Sequence, residues 1–569
     1  MKKIFLIIFI PALVLSSCDI LDLKPLDKYS EADVWIDGDL SQAYVNAQYH
    51  AILHQYVEAM TDMASDDLWG RANWGNPEMI LLGAVTADNV TSLTNRYNIW
   101  SHSYGYIRNC NDFLEKMKDS PIKEDHKRSM TGEIKFIRAW VYANLIFRYG
   151  GVPLITKVYG MHENYTVSRT SFDDCIEFIV SELDEATQML GTGTQSESLR
   201  GRASGHACMA LKSRVLLYAA SPLWNSSNDH SKWQKASDAA AALMNPNDAP
   251  SGVVPVASFR LENNYNDAFL KSTENTEIIF ATYFVSSNNL EFFFRHGRVG
   301  SGGLGGSNPT QNLVNMYEMA ENGLLPYSDD DFTTVNIASK YNEQKPYEGR
   351  DPRFYESILY DGAIWQNRET QMFVSTNPDV MPGGMDSPQG TSMPNNVSVT
   401  GYLLRKFIPE ELPTIGSSEA QTNPYVHMRY AEILLNYAEA QFALGNEDVA
   451  RTYINKIRER KSVNMPPVPI DVSGDDLRKK IQNERRIEMA FEGYRYFDVR
   501  RWKIAEQTET KQLLGIKITK DANTEIKTYE IFNLPIQRPS TFDPKFYLLP
   551  IPRVEIDKIK EAFPNNPGY

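Results

Sequence analysis

Two stretches of this chain combine flat aromatic rings with planar amide and guanidinium groups, the side chains that grip a sugar ring. The first is the turn-rich run Trp69-Gly70-Arg71-Ala72-Asn73-Trp74-Gly75-Asn76, in which Trp69, Arg71, Asn73 and Trp74 are the candidate contacts. The second gathers Tyr283, Phe292, Phe293, Phe294, Arg295 and Arg298, and Trp365 stands alone as a third candidate. Sugars present apolar C–H faces ringed by hydroxyls, so their sites need exposed aromatic platforms flanked by hydrogen-bonding planes. The competing use of the same residues is to pack back onto the core.

Other patterns carry less. Gly300-Ser301-Gly302-Gly303-Leu304-Gly305 matches a dinucleotide fingerprint letter by letter, but no strand–helix–strand unit surrounds it, so it reads as a flexible glycine loop. The pairs Asp66-Asp67 and Asp329-Asp330-Asp331 could do glycosidase acid–base work. With 72 acidic side chains, neighbours of this kind arise by chance. The Asp329–Asp331 run also offers oxygens to a structural calcium, although it lacks the glycine and terminal glutamate of an EF-hand loop. No HExxH, CxxC, GxSxG or Walker pattern occurs, so neither catalysis, a resident metal nor an organic cofactor is expected.

These loops must be held by helices. Val426–Leu444 and Asp448–Arg460 are amphipathic runs meeting at Gly445-Asn446, a helix end followed by a helix start. Their small and branched residues resemble one tetratricopeptide (TPR) hairpin, which cannot bury its apolar face alone. Further helices are expected over 39–60, 95–118, Met130–Tyr149, Ser171–Leu190, Ser204–Ala220 and Ser231–Leu243. Gly150-Gly151 and Pro153 stop the third of these, and Ser171 with Asp174 opens the fourth as a capping box. After the 426–460 hairpin comes Asn483–Trp502, dense in Arg, Glu and aromatics, which reads as a helix broken at Gly493 and followed by an ion-paired corner. Residues 62–94 and 245–425 are rich in Gly, Asn, Ser and Pro, with short strands expected at Glu277–Phe284 and Tyr402–Ile408. The expected fold class is therefore mainly α: a scaffold of TPR-like hairpins with a loop-rich second face carrying a few short strands. Its segments are a leader over 1–17, a helical half over 18–240, a loop-rich insertion of the same body over 241–425, and a C-terminal half over 426–569.

Charge and the N-terminus bear on location. The net charge of −14 has the wrong sign for a nucleic-acid partner. Met1-Lys2-Lys3 precedes the apolar run Ile4–Leu15, which is too short to span a bilayer and ends in Leu15-Ser16-Ser17-Cys18. That ending resembles a lipoprotein box, in which Cys18 becomes the acylated first residue and residues 19–30 a tether. At ~0.8 kcal/mol per buried methylene, several acyl chains on Cys18 would anchor firmly in outer-membrane lipid. The remaining Cys110, Cys175 and Cys208 suggest buried free thiols, not a disulfide framework.

Several segments together resemble the SusD/RagB family of outer-membrane glycan-binding lipoproteins. They are Asn483–Trp502, Arg350-Asp351-Pro352-Arg353-Phe354, Phe147–Leu154 and the ending Tyr547–Ile556 with Asn565–Tyr569. The resemblance implies a cell-surface, lipid-anchored protein that binds an oligosaccharide or polysaccharide without cleaving it. It further implies transfer of that ligand to a SusC-like TonB-dependent transporter, with the TPR side on the transporter and the loop side on the glycan. Peptide capture, as in RagB-like members, and surface glycoside hydrolysis are the alternatives. The family fixes no ligand residue by motif, so the candidates above rest on composition.

Overall fold

In the computed structural model, the described residues are 31–53, 58–70, 76–94, 97–160, 162–163, 167–193, 195–284, 306–390, 397–411, 422–559 and 563–569. The lipobox with Cys18 lies outside them, as does the glycine run 300–305. Helix dominates. The long elements are α1 (Gly38–Gln48), α2 (Trp100–Lys116), α3 (Glu124–Tyr149), α4 (Phe172–Leu190), α5 (Gly205–Ala220) and α6 (His230–Ala241). After the loop-rich stretch come α7 (Tyr430–Ala443), α8 (Glu447–Arg458), α9 (Gly474–Glu488) and α10 (Arg495–Arg501).

The helices stack in one continuous series, α3 on α4, α4 on α5, α5 on α6, α6 on α7 and α7 on α8. The α6–α7 contact closes across the whole 242–429 stretch, so that stretch leaves the stack and returns to it. Local chemistry explains the boundaries. Ser171 Oγ accepts the Asp174 N–H at 3.1 Å and donates to Asp174 Oδ2 at 2.6 Å, so α4 opens on the expected capping box. Gly445, at φ +86°, makes the left-handed turn between α7 and α8. Gly151 lies so close to the 170–172 strand of chain that a Cβ would fall 2.2 Å from the Thr170 carbonyl oxygen.

Three boundaries differ from the sequence reading. The helix expected over 39–60 ends at Gln48, with a separate turn at His50–Leu53 and a 3₁₀ segment at Glu58–Ala64. The helix expected over 95–118 spans only Trp100–Lys116. Val426–Arg429, expected as helix, belongs instead to strand Tyr425–Arg429, which pairs antiparallel with strand Ile278–Thr282. The reason is tertiary. Arg429, extended at φ −139° and ψ 163°, turns its guanidinium onto Glu277, Glu488 and Glu492, while the Tyr430 N–H donates to the Glu277 carbonyl at 2.9 Å. A hairpin of Leu514–Lys520 with Lys527–Asn533 also forms, burying Ile516 and Ile518 on one face.

Two large apolar cores and three smaller clusters form among the described residues. One large core lies within the helix stack around Trp140, Leu211 and Leu435; the other lies under the loop-rich face around Phe354, Tyr402 and Leu404. Ile487, Ala490 and Phe491 insert into the second core. Between the cores runs a buried ionic layer. Glu277 and Glu488 face Arg429 and Arg460 in a square of contacts: Arg429 Nη1 to Glu277 at 2.7 Å and Glu488 at 2.8 Å, Arg460 to Glu277 and Glu488 at 2.7 Å each. Arg353, from the Arg350–Phe354 motif, adds Asp351 at 2.8 Å and Glu488 at 3.1 Å. Burial alone would raise the Glu488 carboxyl, yet Arg460, Arg429 and Arg353 outweigh it and hold it well below the usual range; against the same burial Glu277 is lowered by Arg460 and Arg429. The thiols of Cys110, Cys175 and Cys208 are buried and free, and burial pushes Cys110 and Cys208 up to about 12. Among the described residues no helix is long and apolar enough to cross a membrane.

The ionic layer sets the response to acid. Glu277 and Glu488 have folded values below those of the unfolded chain, so their contribution is complete above the unfolded value of about 4.3 and fades as the pH falls beneath it. We expect the thermal midpoint to drop steadily between pH of about 5 and about 3 in differential scanning calorimetry; a midpoint that holds or rises on acidification would contradict this.

Candidate functional site

The ion-paired corner expected after Gly493 is present, and its role is to hold the base of the candidate loops. Helix α9 ends at Glu488, the chain turns through Phe491 (φ +66°) and Gly493 (φ +82°), and α10 begins at Arg495. This turn sets Arg486 and Arg495 side by side over Asp66-Asp67. Arg486 reaches Asp67 Oδ1 through Nε at 2.7 Å and Asp66 Oδ2 through Nη2 at 2.8 Å. Arg495 forks onto Asp66 at 2.8 and 3.0 Å. The backbone joins in: the N–H groups of Gly493 and Arg495 donate to the Asp62 carboxylate at 3.1 and 3.2 Å.

Charge within this clamp is divided unevenly. Burial would raise the Asp66 carboxyl, but Arg486 and Arg495 win and hold it well below the usual range. Asp67 goes the other way: burial and the neighbouring Asp66 charge push it up despite Arg486. Burial and the Asp67 charge push Asp62 well above its ordinary value. A carboxylate locked into two guanidinium forks has neither the proton nor the freedom for acid–base chemistry. That holds for Asp66, which is a structural carboxylate here.

Directly after Asp67 the chain enters a two-stranded ladder, β1 (Leu68–Gly70) against β2 (Ser307–Pro309), with Leu68 opposite Pro309, Trp69 opposite Asn308 and Gly70 opposite Ser307. Thr310 locks the partner strand to the clamp, its N–H donating to the Asp67 carbonyl at 3.0 Å and its hydroxyl to the Asp66 carbonyl at 2.5 Å. The Val399 N–H donates to Asn308 Oδ1 at 3.1 Å, and Asn312 bridges to the C-terminal hairpin by accepting the Leu514 N–H at 2.8 Å. Gly70 is thus the last described residue before 71–75, Gly306 the first after 285–305, and Val397 the first after 391–396. Gly70 and Ser307, the latter directly after Gly306, face each other across the ladder.

The individual candidates fall unevenly. Arg71, Asn73, Trp74, Phe292, Phe293, Phe294, Arg295 and Arg298 lie outside the described residues. Trp69 is only 8 % exposed, packed with Leu81, Leu513, Leu534 and Ile536, so it serves as the hydrophobic pin beneath the ladder and offers no open ring face. Trp365 is 2 % exposed in a short hairpin with the Arg405 guanidinium 5.6 Å from its ring, again as core and not as a platform. Tyr283 remains half-exposed, one face covered by Arg200 at 4.8 Å. Asp329, once a calcium candidate, accepts the N–H groups of Thr333 and Thr334 at 2.9 and 2.7 Å, which hold it down at about 2. Among the described residues no group of three or more His, Cys, Asp or Glu is arranged to hold a metal ion. The arginines of Asn483–Trp502 gave notice of the ion-paired corner, but not of the ladder or of Asp66 and Asp67 as the partners.

Comparison with known proteins adds the family context. A model described as the SusD family matches residues 262–569, and one described as starch-binding associating with outer membrane matches 19–217. The chain is similar over its full length to SusD-like protein P2 of Formosa agariphila, at 23% identity and covering 100% of both chains. It superposes on a SusD-like protein from Bacteroides fragilis with a TM-score of 0.75 and 29% identity, covering 96% of this chain and 100% of that one. A laminarin binding SusD-like protein shares the fold at a TM-score of 0.63 and 20% identity, over 93% and 99% of the two chains.

Removing one arm of the clamp strands a buried charge. Arg495→Ala is expected to cost about 3–5 kcal/mol of unfolding free energy in denaturant titration, because Asp66 loses its forked partner. Amide exchange at 68–70 and 307–310 should accelerate in the same variant. A loss below about 1 kcal/mol with unchanged exchange would show that the clamp does not hold the ladder.

Proposed function

The chain belongs to the SusD family, and on that premise we propose that it is a cell-surface lipoprotein that binds an oligosaccharide or polysaccharide and passes it to a SusC-like TonB-dependent outer-membrane transporter. The observation that carries the reading is the ladder. The two segments richest in sugar-type side chains, 71–75 and 285–305, begin and end beside Gly70 and Ser307, which face each other across it. The laminarin binding relative and the outer-membrane description of the second family model support the same direction.

The proposed contacts are Arg71, Asn73, Trp74, Phe292, Phe294, Arg295 and Arg298, with Tyr283 at the margin. Aromatic rings would stack on pyranose faces while Asn73 and the arginines bond hydroxyls. Trp69 supports them from below. The ligand leaves unaltered in this reading, which is supported by Asp66 being locked between Arg486 and Arg495. Outer-membrane attachment rests on Cys18, and the acidic surface keeps nucleic acid away.

Two measurements test this. Trp74→Ala should weaken binding of a retained polysaccharide by about 1–3 kcal/mol, the range for stacking on an aromatic ring, in isothermal titration; full affinity would place the glycan elsewhere. A panel of peptides run alongside separates glycan capture from peptide capture, and peptide binding with no polysaccharide retained would overturn the reading. Cys18→Ala should move the protein from the membrane fraction to the soluble fraction, and a variant still sedimenting after high-salt washing would refute acyl anchoring.

A further inference from the structure

On the other side of the clamp lies a cleft of about 1270 Å³ between the α7 and α9 helices and the start of the loop-rich face. Its lining includes Asp66, Arg486 and Arg495 but no residue of 68–76 or 283–309, so it is a separate place from the ladder loops. The volume exceeds that of a typical small-molecule pocket and would admit a few sugar rings.

Two features of the cleft, its arginine and lysine donors, point to a ligand with a carboxylate, and a third, an unpaired amide oxygen, to a hydroxyl donor on the same ligand. Arg486 and Arg495 use Nε and Nη2 on Asp66 and Asp67, and the remaining Nη1 of each donates to no described residue. Asn483 is 8 % exposed and donates to the Met316 carbonyl at 3.1 Å, while its Oδ1 is buried and accepts nothing from the protein. At the rim, Lys479 and Lys503 are exposed and form no ion pair with a described residue, in a chain of net charge −14. The neighbouring Lys480 and Lys511 are by contrast tied to Glu318 and Asp331. Exposed Asp330 and Asp476 share the rim and would repel a polyanion, so one carboxylate fits better than many. Half-buried Phe332 and Phe442, with the exposed amide of Gln507, give the walls the mixed apolar and hydrogen-bonding character that a sugar ring needs.

We propose that this cleft is a second ligand site that takes a saccharide bearing a single carboxylate, a uronate residue in a short oligosaccharide, with the acid group between Lys479, Lys503 and the clamp arginines. The site does not rest on the ladder loops, and Trp74→Ala leaves it intact.

The test is isothermal titration of the full-length mature protein with an aldobiouronic acid, its carboxyl-reduced neutral counterpart, and triglutamate. Binding of the acid alone is expected, weakening with added salt and falling by about tenfold or more in the Lys479→Ala/Lys503→Ala double variant. Both lysines are exposed, so the variant should keep the wild-type melting temperature and its affinity for a ladder-site polysaccharide. Equal binding of the reduced sugar, affinity unchanged in the double variant, no binding of the acid, or tighter binding of triglutamate would each overturn the proposal.

Discussion

The pairing of Arg486 and Arg495 with Asp66 and Asp67 is the contact on which the rest of this molecule depends. It joins residues 419 positions apart and is almost wholly buried. Burying charge is costly, and such a pair adds little net stability over an apolar substitute. What it supplies is position. Three carboxylate oxygens held by two guanidinium groups admit few geometries, and they fix where the chain emerges at Leu68. Thr310 then reads that position through two hydrogen bonds and sets the partner strand beside it.

The same logic extends through the interior. The square of Glu277, Glu488, Arg429 and Arg460 lies where the helix stack meets the core beneath the loop-rich face, and Arg353 links the middle of the chain to α9. Lys406, donating to Glu492 at 2.8 Å and to the Ala490 carbonyl at 2.8 Å, is desolvated enough that its ammonium is pulled down to about 8. An interface built this way is specific without being greasy. The long 242–429 excursion can return to the correct place on α6 because each charge has one set of partners that satisfies it.

Much of the scaffold was legible in the sequence. The helices at Phe172–Leu190 and Gly205–Ala220 begin where Ser171 and Ser204 cap them, because capping and the 3.6-residue period are local properties. Strand Tyr425–Arg429 was not legible as strand: Val426 and Met428 run on into a helical pattern, and only the ladder to Ile278–Thr282 and the pull on Arg429 make them extended. The 514–533 hairpin carried a period of two at Ile516 and Ile518 that was there to be read. For the site, composition identified the loops but not their meeting, since β1 and β2 lie at distant positions and are short. It also misjudged Trp69 and Trp365, because an aromatic residue looks the same in sequence whether it lies over a core or over solvent. The partners of Asp66-Asp67 were visible only as an excess of arginine, with nothing local to say which carboxylates they would meet.

The central claim is that one buried clamp presents the ligand-binding loops from a single ladder, and a crystal structure of the protein with a retained oligosaccharide tests it most directly. Sugar density against residues 71–75 and 285–305, with Arg486 and Arg495 still forked onto Asp66 and Asp67, is the predicted result. Density lying on the α3–α6 helices, or a ligand-bound molecule in which the ladder has come apart, would contradict it.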